Sequence, residues 1–340
     1  MRAISYAVTG EPDVLTLSDK QPTEPGPGEV RVAVHRSGVN PTDWKNRRGA
    51  EPGVAVEPAQ VPNQDGAGVV EAVGEGVDES RVGERVWLWE AAFNRPDGTA
   101  QELTVLPADR AVPLPDEASF DLGASVGIPF MTAHRCLTVG EGGPLELGPG
   151  ALDGVTVLVS GGAGAVGNAA IKLATWSGAE VITTVSGPEK ADLARRAGAR
   201  HVVNYREEDV VEAVREIAPD GVHVVVEVAA AANAEIVAGV LATGGAVAVY
   251  ADDDKAPLTL PVRPQMLLNA RWQFVLVYSA PAEWKQRAVR DVSRGIAEGV
   301  VTVGEEHGVP LHHFALEDTA GAHAAVESGA VGKVIVDVTG

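Results

Sequence analysis

Residues 155–167 constrain the fold more than any other stretch. The apolar run VTVLVS (155–160) breaks into the turn GGAGAVG (161–167) and continues as NAAIKLATWSG, which has the apolar spacing of a helix. Gly162, Gly164 and Gly167 satisfy G-x-G-x-x-G. In that spacing one glycine permits a sharp turn, the next lets backbone approach a pyrophosphate, and the third lets helix pack on strand. The N–H groups opening the helix then face the negative charge. Glycines at this spacing arise easily in a chain with 39 of them, so the weight comes from the strand before and the helix after. Gly162, Ala163, Gly164, Ala165, Val166 and Gly167 are therefore candidate contacts to a dinucleotide.

Downstream the alternation continues. Apolar runs EVITTVS (180–186), HVVNY (201–205), VHVVVEV (222–228) and AVAVY (246–250) are separated by helix patterns such as PEKADLARRAG and REEDVVEAVREIA. Strands buried on both faces and separated by helices predict a doubly wound parallel sheet, hence an α/β fold. Residues 1–125 differ: VRVAV (30–34), GVVEAVG (68–74), RVWLW (85–89) and LTVLPADRAVPL (103–114) are short runs between Gly/Pro turns, as in a β barrel or sandwich. GIPFMTAHRCLTVG (127–140) predicts a helix after a proline at its start, AEWKQRAVRDVSRGIAEG (282–299) a polar helix, and WQFVLVY (272–278) an apolar run. KVIVDV (333–338) predicts a strand that returns to the first region. The expected domains are 1–125 with 262–340, and 126–261 for the cofactor; the sequence leaves open whether 262–310 packs with the latter.

Composition narrows the function. With 27 Lys and Arg against 47 Asp and Glu, the net charge is −20, which argues against nucleic acid or an anionic membrane surface as partner. The single cysteine, Cys136, permits no intrachain disulfide and no zinc site built on several thiolates. No apolar run approaches a bilayer span and the N-terminus lacks a signal-peptide core, so a cytoplasmic protein is expected. The eight histidines form no H-E-x-x-H; His312-His313 alternate faces if they lie in a strand, and His134 and His323 sit in helix patterns. Asp252-Asp253-Asp254 lacks the remaining positions of a calcium loop and reads as a solvated turn.

The kind of dinucleotide follows from the second strand. An NAD site places a carboxylate there to bond the ribose 2′-OH. Here the strand ends in Thr183-Thr184-Val185-Ser186-Gly187, without one. Ser186, Lys190 and Tyr205 can instead surround a 2′-phosphate with donors, which favours NADPH.

Taken together, SGVNPTDWKNRRG (37–49), NQDGAGVVEAVGEGV (63–77), VGERVW (82–87), SVGIPFMTAHRCL (125–137), SGPEKADLARRAGARHVVNYREED (186–209) and GKVIVDV (332–338) resemble the medium-chain dehydrogenase/reductase superfamily. More closely, they are similar to its zinc-independent quinone oxidoreductase branch, with VNPTDW, GIPFMTA and NYREED the more branch-specific pieces. The resemblance implies a GroES-like β-rich catalytic domain made from both chain ends, an inserted Rossmann cofactor domain, a substrate cleft between them, and a homodimer. In zinc-using relatives a Cys stands at the Asn40 position, a His at Gln64 and a second Cys at Ile128, so none of the three ligand types is present. The resemblance also implies that Thr132 faces the nicotinamide, that Asn233, Val249, Tyr250 and Ala251 lie along the cofactor, and that Phe274, Val275 and Leu276 sit behind the carboxamide. Lys333 is expected to reach the cofactor from the return strand.

The expected chemistry is hydride transfer from NADPH to a small electron acceptor, a quinone or the C=C bond of an enone or enal. Asn40 is the candidate donor to the developing oxyanion, or orders a water that donates, with Asp43 and Trp44 shaping the cleft wall. Relatives often carry a Tyr after Gly49 where this chain has Glu51. A nucleotide-binding redox sensor with little turnover is the third reading.

Overall fold

The computed structural model describes residues 1–252 and 256–339, and the chain divides into two compact units. One comprises Met1–Ile128 together with the chain from Leu311 on; the other is Pro129–Pro310. Residues 262–310 therefore group with the middle unit, the alternative that the sequence leaves open. The reason is the strand Arg271–Phe274, which adds in parallel to Leu241–Val249 and completes that unit's sheet. The strand is also shorter than the run 272–278, because the chain turns into a 3-10 helix at Val277–Ser279.

The middle unit is a six-stranded parallel sheet in the order His201–Asn204, Glu180–Val185, Thr156–Ser160, Val222–Glu227, Leu241–Val249, Arg271–Phe274. The order reverses between Thr156–Ser160 and Val222–Glu227, the switch point where such sheets bind ligands at their carboxyl ends. Val, Leu, Ile and Ala fill both faces: Leu158, Ile182, Val203, Val225 and Val247 form one cluster with Val210, Val214, Val237 and Val240 from the helices Val210–Ile217 and Ala230–Val240. Doubly buried strands alternating with amphipathic helices admit this arrangement and few others.

The chain-end unit is antiparallel except for one pair. Its seven-stranded sheet centres on the long strand Glu29–Val39, which pairs with Asp65–Val73 on one side and with Lys333–Asp337 and Leu103–Pro107 on the other. Leu311–Ala315 runs parallel to Lys333–Asp337 at one edge. The return strand expected at 333–338 thus joins the N-terminal region. The helix Thr319–Glu327, which carries the helix pattern around His323, packs on this sheet, and the short helix Pro41–Arg48, which the sequence does not signal, packs on that helix.

The helix expected after Pro129 begins earlier, at Phe120, and runs to Leu137 with Pro129 inside it. Pro129 lacks the N–H that would bond the Ser125 carbonyl, so the helix runs on with one backbone hydrogen bond fewer. Among the described residues, no helix is long and apolar enough to cross a membrane.

Candidate functional site

The sheet register of the chain-end unit brings three side chains to one point. Gly38 stands opposite both Asp65 and Ile335, and Val39 opposite Val334, so Asn40 leaves its strand beside Asp65 on one flank and Lys333 on the other. The Asn40 Nδ2 donates to Asp65 Oδ2 at 2.7 Å, and Lys333 Nζ donates to Asn40 Oδ1 at 2.8 Å. The ammonium also lies 3.1 Å from Asp65 Oδ2. All three are almost inaccessible, with 3% of Asn40, 0% of Asp65 and 2% of Lys333 exposed. A charge pair so dry persists only when its remaining lone pairs are satisfied. Asp65 Oδ1 meets that demand by accepting the Ile128 N–H at 2.9 Å.

Two glycines make the space. A Cβ on Gly127 would stand 2.3 Å from Asp65 Oδ1, and one on Gly38 would stand 1.9 Å from the Ala124 carbonyl oxygen and 2.9 Å from Lys333 Cε. Asp65 was missed in the sequence, where NQDGAG offers an acid next to Gln64 but no sign of its partner some 270 residues away (333 − 65 = 268). Lys333, expected at the cofactor, is here tied to Asn40 and Asp65.

Asp43, in the first turn of Pro41–Arg48, accepts the Asn40 backbone N–H at 2.7 Å and closes that helix start. Burial pushes its carboxyl up to about 8, with the Asp65 charge acting in the same direction and the Asn40 amide and Lys333 opposing. Its surroundings thus favour the protonated form of Asp43. A second polar chain supports the strand: His323 bonds Asn63 Oδ1, Asn63 donates to Ser37 Oγ, and Ser37 meets Thr99, which donates to the Asp65 carbonyl. Burial and the nearby Arg47 lower the His323 imidazole to about 3.

The middle unit gathers a different set. Parallel register aligns Ser160 with Thr184, Val185 with Asn204, Glu227 with Val249, and Val249 with Phe274, so the glycine turn, Ser186, Tyr205, Asn233, Tyr250 and Ala251 follow strand ends at one edge. Gly161 has φ of +72°, and a Cβ on Gly162 would stand 2.2 Å from Thr183 Oγ1, one on Gly167 2.4 Å from the Gly161 carbonyl oxygen. The turn therefore closes only with glycine, and Gly164 caps the helix Ala165–Trp176 with its amides open. Such a cradle fits a pyrophosphate. Ala163 is buried, Ala165 and Val166 half-buried, Ser186 and Lys190 half-buried, and Tyr205 exposed.

Glu227, which the sequence reading did not single out, knits this edge together. Its Oε2 accepts Ser160 Oγ at 2.7 Å, and its Oε1 accepts the Ala229 N–H at 2.6 Å and Asn233 Nδ2 at 2.9 Å. Asn233 is thereby held at the start of its helix. Thr132 is buried in the helix Phe120–Leu137 beyond Pro129, Val249 is buried in the sheet, and Val275 is buried just past its last strand. Phe274 and Leu276, by contrast, are 64% and 58% exposed.

Other candidates are accounted for structurally. Burial raises the Cys136 thiol far above its ordinary range, which removes it as a nucleophile. His134 is pinned to Asp291 at 2.8 Å. Asp121, His313 and Asp337 come close enough to share an ion, but Arg36 Nε already lies 2.9 Å from Asp121 and 3.0 Å from Asp337, so a cation is in place. Asp252 is exposed, and Asp253 and Asp254 lie outside the described residues.

Comparison with known proteins gives the family. Residues 26–116 match the alcohol dehydrogenase GroES-like domain family, and residues 165–294 match the family described as zinc-binding dehydrogenase. The quinone oxidoreductase of Rattus norvegicus is 31% identical over 99% of this chain and 97% of its own. The chain is a medium-chain dehydrogenase/reductase of the quinone oxidoreductase branch. This oxidoreductase is also 31% identical to a 2-haloacrylate reductase of Burkholderia sp, over 92% of each chain. Among solved structures it is similar to an NAD-dependent alcohol dehydrogenase (28% identity, TM-score 0.85, 100% of both chains) and to the Escherichia coli quinone oxidoreductase complexed with NADPH (26% identity, TM-score 0.81, 99% and 100%). The GroES-like and Rossmann architecture expected from the sequence is thus borne out.

Proposed function

We propose that the protein is an NADPH-dependent quinone reductase that works without zinc. The observation that carries this reading is the donor set at the three positions where zinc-using relatives place their ligands. Asn40 offers a carboxamide committed to Asp65 and Lys333, Gln64 a buried amide, and Ile128 only a hydrocarbon side chain. Zinc binds thiolate, imidazole or carboxylate, and Lys333 presents a like charge to any such ion. The site fits a fixed hydrogen-bond donor instead.

NADPH, when bound, supplies the hydride, and the acceptor must already be polarised by its own conjugation. The turn from Gly161 to Gly167 holds the pyrophosphate, and Ser186, Lys190 and Tyr205 hold the 2′-phosphate in place of the absent carboxylate. Thr132, Asn233, Val249, Tyr250, Ala251 and Val275 position the remainder. Asn40 donates to the oxygen on which charge develops, in a dry setting where such a bond counts for more than in water. Asp43 holds the Asn40 backbone. The absence of a second-strand acid favours NADPH over the NAD of the alcohol dehydrogenase neighbour.

The likeness to a 2-haloacrylate reductase supports a second reading, reduction of an activated C=C bond by the same groups. The homodimer reading rests on the sheet's last strand. Arg271–Phe274 ends the strand order, and Val262, Met266, Leu267, Phe274 and Leu276 beside it are each more than half exposed, an apolar edge that pairing with a second copy covers.

Purified protein assayed with NADPH and NADH against a naphthoquinone, an enone and a simple alcohol tests the reading. NADPH with the quinone gives the highest kcat/KM. A faster enone shifts the assignment to the second reading; no turnover with any acceptor favours the redox sensor.

A further inference from the structure

We infer that Asp65 and Lys333 are positioning residues that fix the Asn40 carboxamide in the one orientation that serves acceptor reduction. This deepens the reading above and rests on Asn40 being the donor. A carboxamide has nearly the same shape after a half turn about its last bond, but the turn exchanges donor and acceptor. Here the two neighbours carry opposite charges. As built, Nδ2 faces the Asp65 carboxylate and Oδ1 faces the Lys333 ammonium. Turned over, the amide would set N–H against N–H and lone pair against lone pair, losing two charge-assisted bonds in a dry site.

Both neighbours and the Asn40 backbone are held by further hydrogen bonds. Asp65 Oδ1 is held by the Ile128 N–H, Lys333 bridges Asn40 and Asp65, and the Asn40 backbone N–H is held by Asp43. Nδ2 carries two hydrogens; Asp65 takes one, and the other remains for the acceptor oxygen. The ammonium on Oδ1 also draws electron density through the amide, which strengthens the remaining N–H as a donor. Lys333 thus supplies the site's positive charge through a single carboxamide.

Steady-state kinetics with NADPH and naphthoquinone on three variants test this. Asn40→Ala is expected to lower kcat about 100-fold without changing the Kd for NADPH. The paired variant Asp65→Asn/Lys333→Met, which leaves no lone buried charge, is expected to lower kcat about 10-fold or more with KM little changed. The triple variant should then be no slower than Asn40→Ala, because the pair acts only through Asn40. Losses that multiply, or a paired variant with full kcat, overturn the inference. If Asn40→Ala itself keeps full kcat, the donor reading fails first and this inference falls with it.

Should the paired variant not fold, NMR on the unaltered protein decides. The Asn40 side-chain amide, identified by its loss in Asn40→Ala, should show one downfield, slowly exchanging proton. Two protons at ordinary positions with fast exchange contradict the arrangement.

Discussion

Glycine frames both halves of this enzyme, to opposite ends. At Gly38 and Gly127 the missing Cβ lets Asp65 and Lys333 close on Asn40, so that the buried charges pair with one another and with its carboxamide. At Gly161–Gly167 it keeps a turn narrow, while the side chains nearby, Ser186, Lys190 and Tyr205, stay half-buried or exposed. In the proposed function the first region holds charge in place before the acceptor arrives, and the second receives a charged ligand, for which its donors stay accessible. Paired, dry groups contribute to stability and orientation; open donors contribute to affinity.

The sharpest way to break this contrast is to remove one lysine from each region. Lys333→Ala leaves the Asp65 carboxylate buried and unpaired, and urea unfolding should show a loss of about 3–5 kcal/mol. Lys190→Ala should cost less than about 0.5 kcal/mol. Similar losses would erase the distinction.

Next in size is the turn itself. Gly167→Ala places a Cβ 2.4 Å from the Gly161 carbonyl oxygen, where the neighbour is backbone and cannot swing aside. Fluorescence titration should show NADPH affinity falling about 100-fold, the upper end of what a single lost charged contact costs. In the same titration, Lys190→Ala should weaken NADPH about 10-fold and leave NADH unchanged. Equal losses for both cofactors remove Lys190 from the phosphate site.

The smallest effect is a pH signature confined to the chain-end unit. Asp43 is raised from 3.8 to about 8, so between these values the folded state holds a proton the unfolded state has lost, and stability falls as pH rises. His323 is lowered from 6.5 to about 3, so in that interval the unfolded state holds the extra proton and stability rises with pH. The two slopes offset between about pH 4 and 6.5. Above 6.5 only Asp43 acts, and stability should decline toward pH 8 by at most about 1.4 kcal/mol per unit. Asp43→Asn should flatten that decline, as followed by urea unfolding at pH 6.5 and 8. An unchanged slope removes Asp43 as its source.

The cofactor unit was legible in the sequence because its rules are local. A strand, a glycine turn and a helix follow one another within residues 156–176, and parallel register then carries Ser186, Tyr205 and Tyr250 to the same edge. The acceptor side was legible only as Asn40. Its partners come from Asp65 and Lys333, far along the chain, and antiparallel pairing with the strand ending at Val39 is what unites them. Nothing local in GKVIVDV distinguishes a lysine facing the cofactor from one buried beside Asn40. Glu227 was hidden likewise, since VHVVVEV reads as a buried strand whose lone acid has no visible partner until Ser160 and Asn233 are placed beside it. The place of 262–310 stayed open in the sequence for a related reason: a four-residue strand, Arg271–Phe274, extends the parallel sheet without a strong pattern of its own.

The most direct test of the account is quinone reduction by NADPH before and after exhaustive dialysis against a strong zinc chelator, with the metal content measured in parallel. The account predicts unchanged kcat and no stoichiometric metal in the active protein. Loss of turnover that zinc alone restores would contradict it.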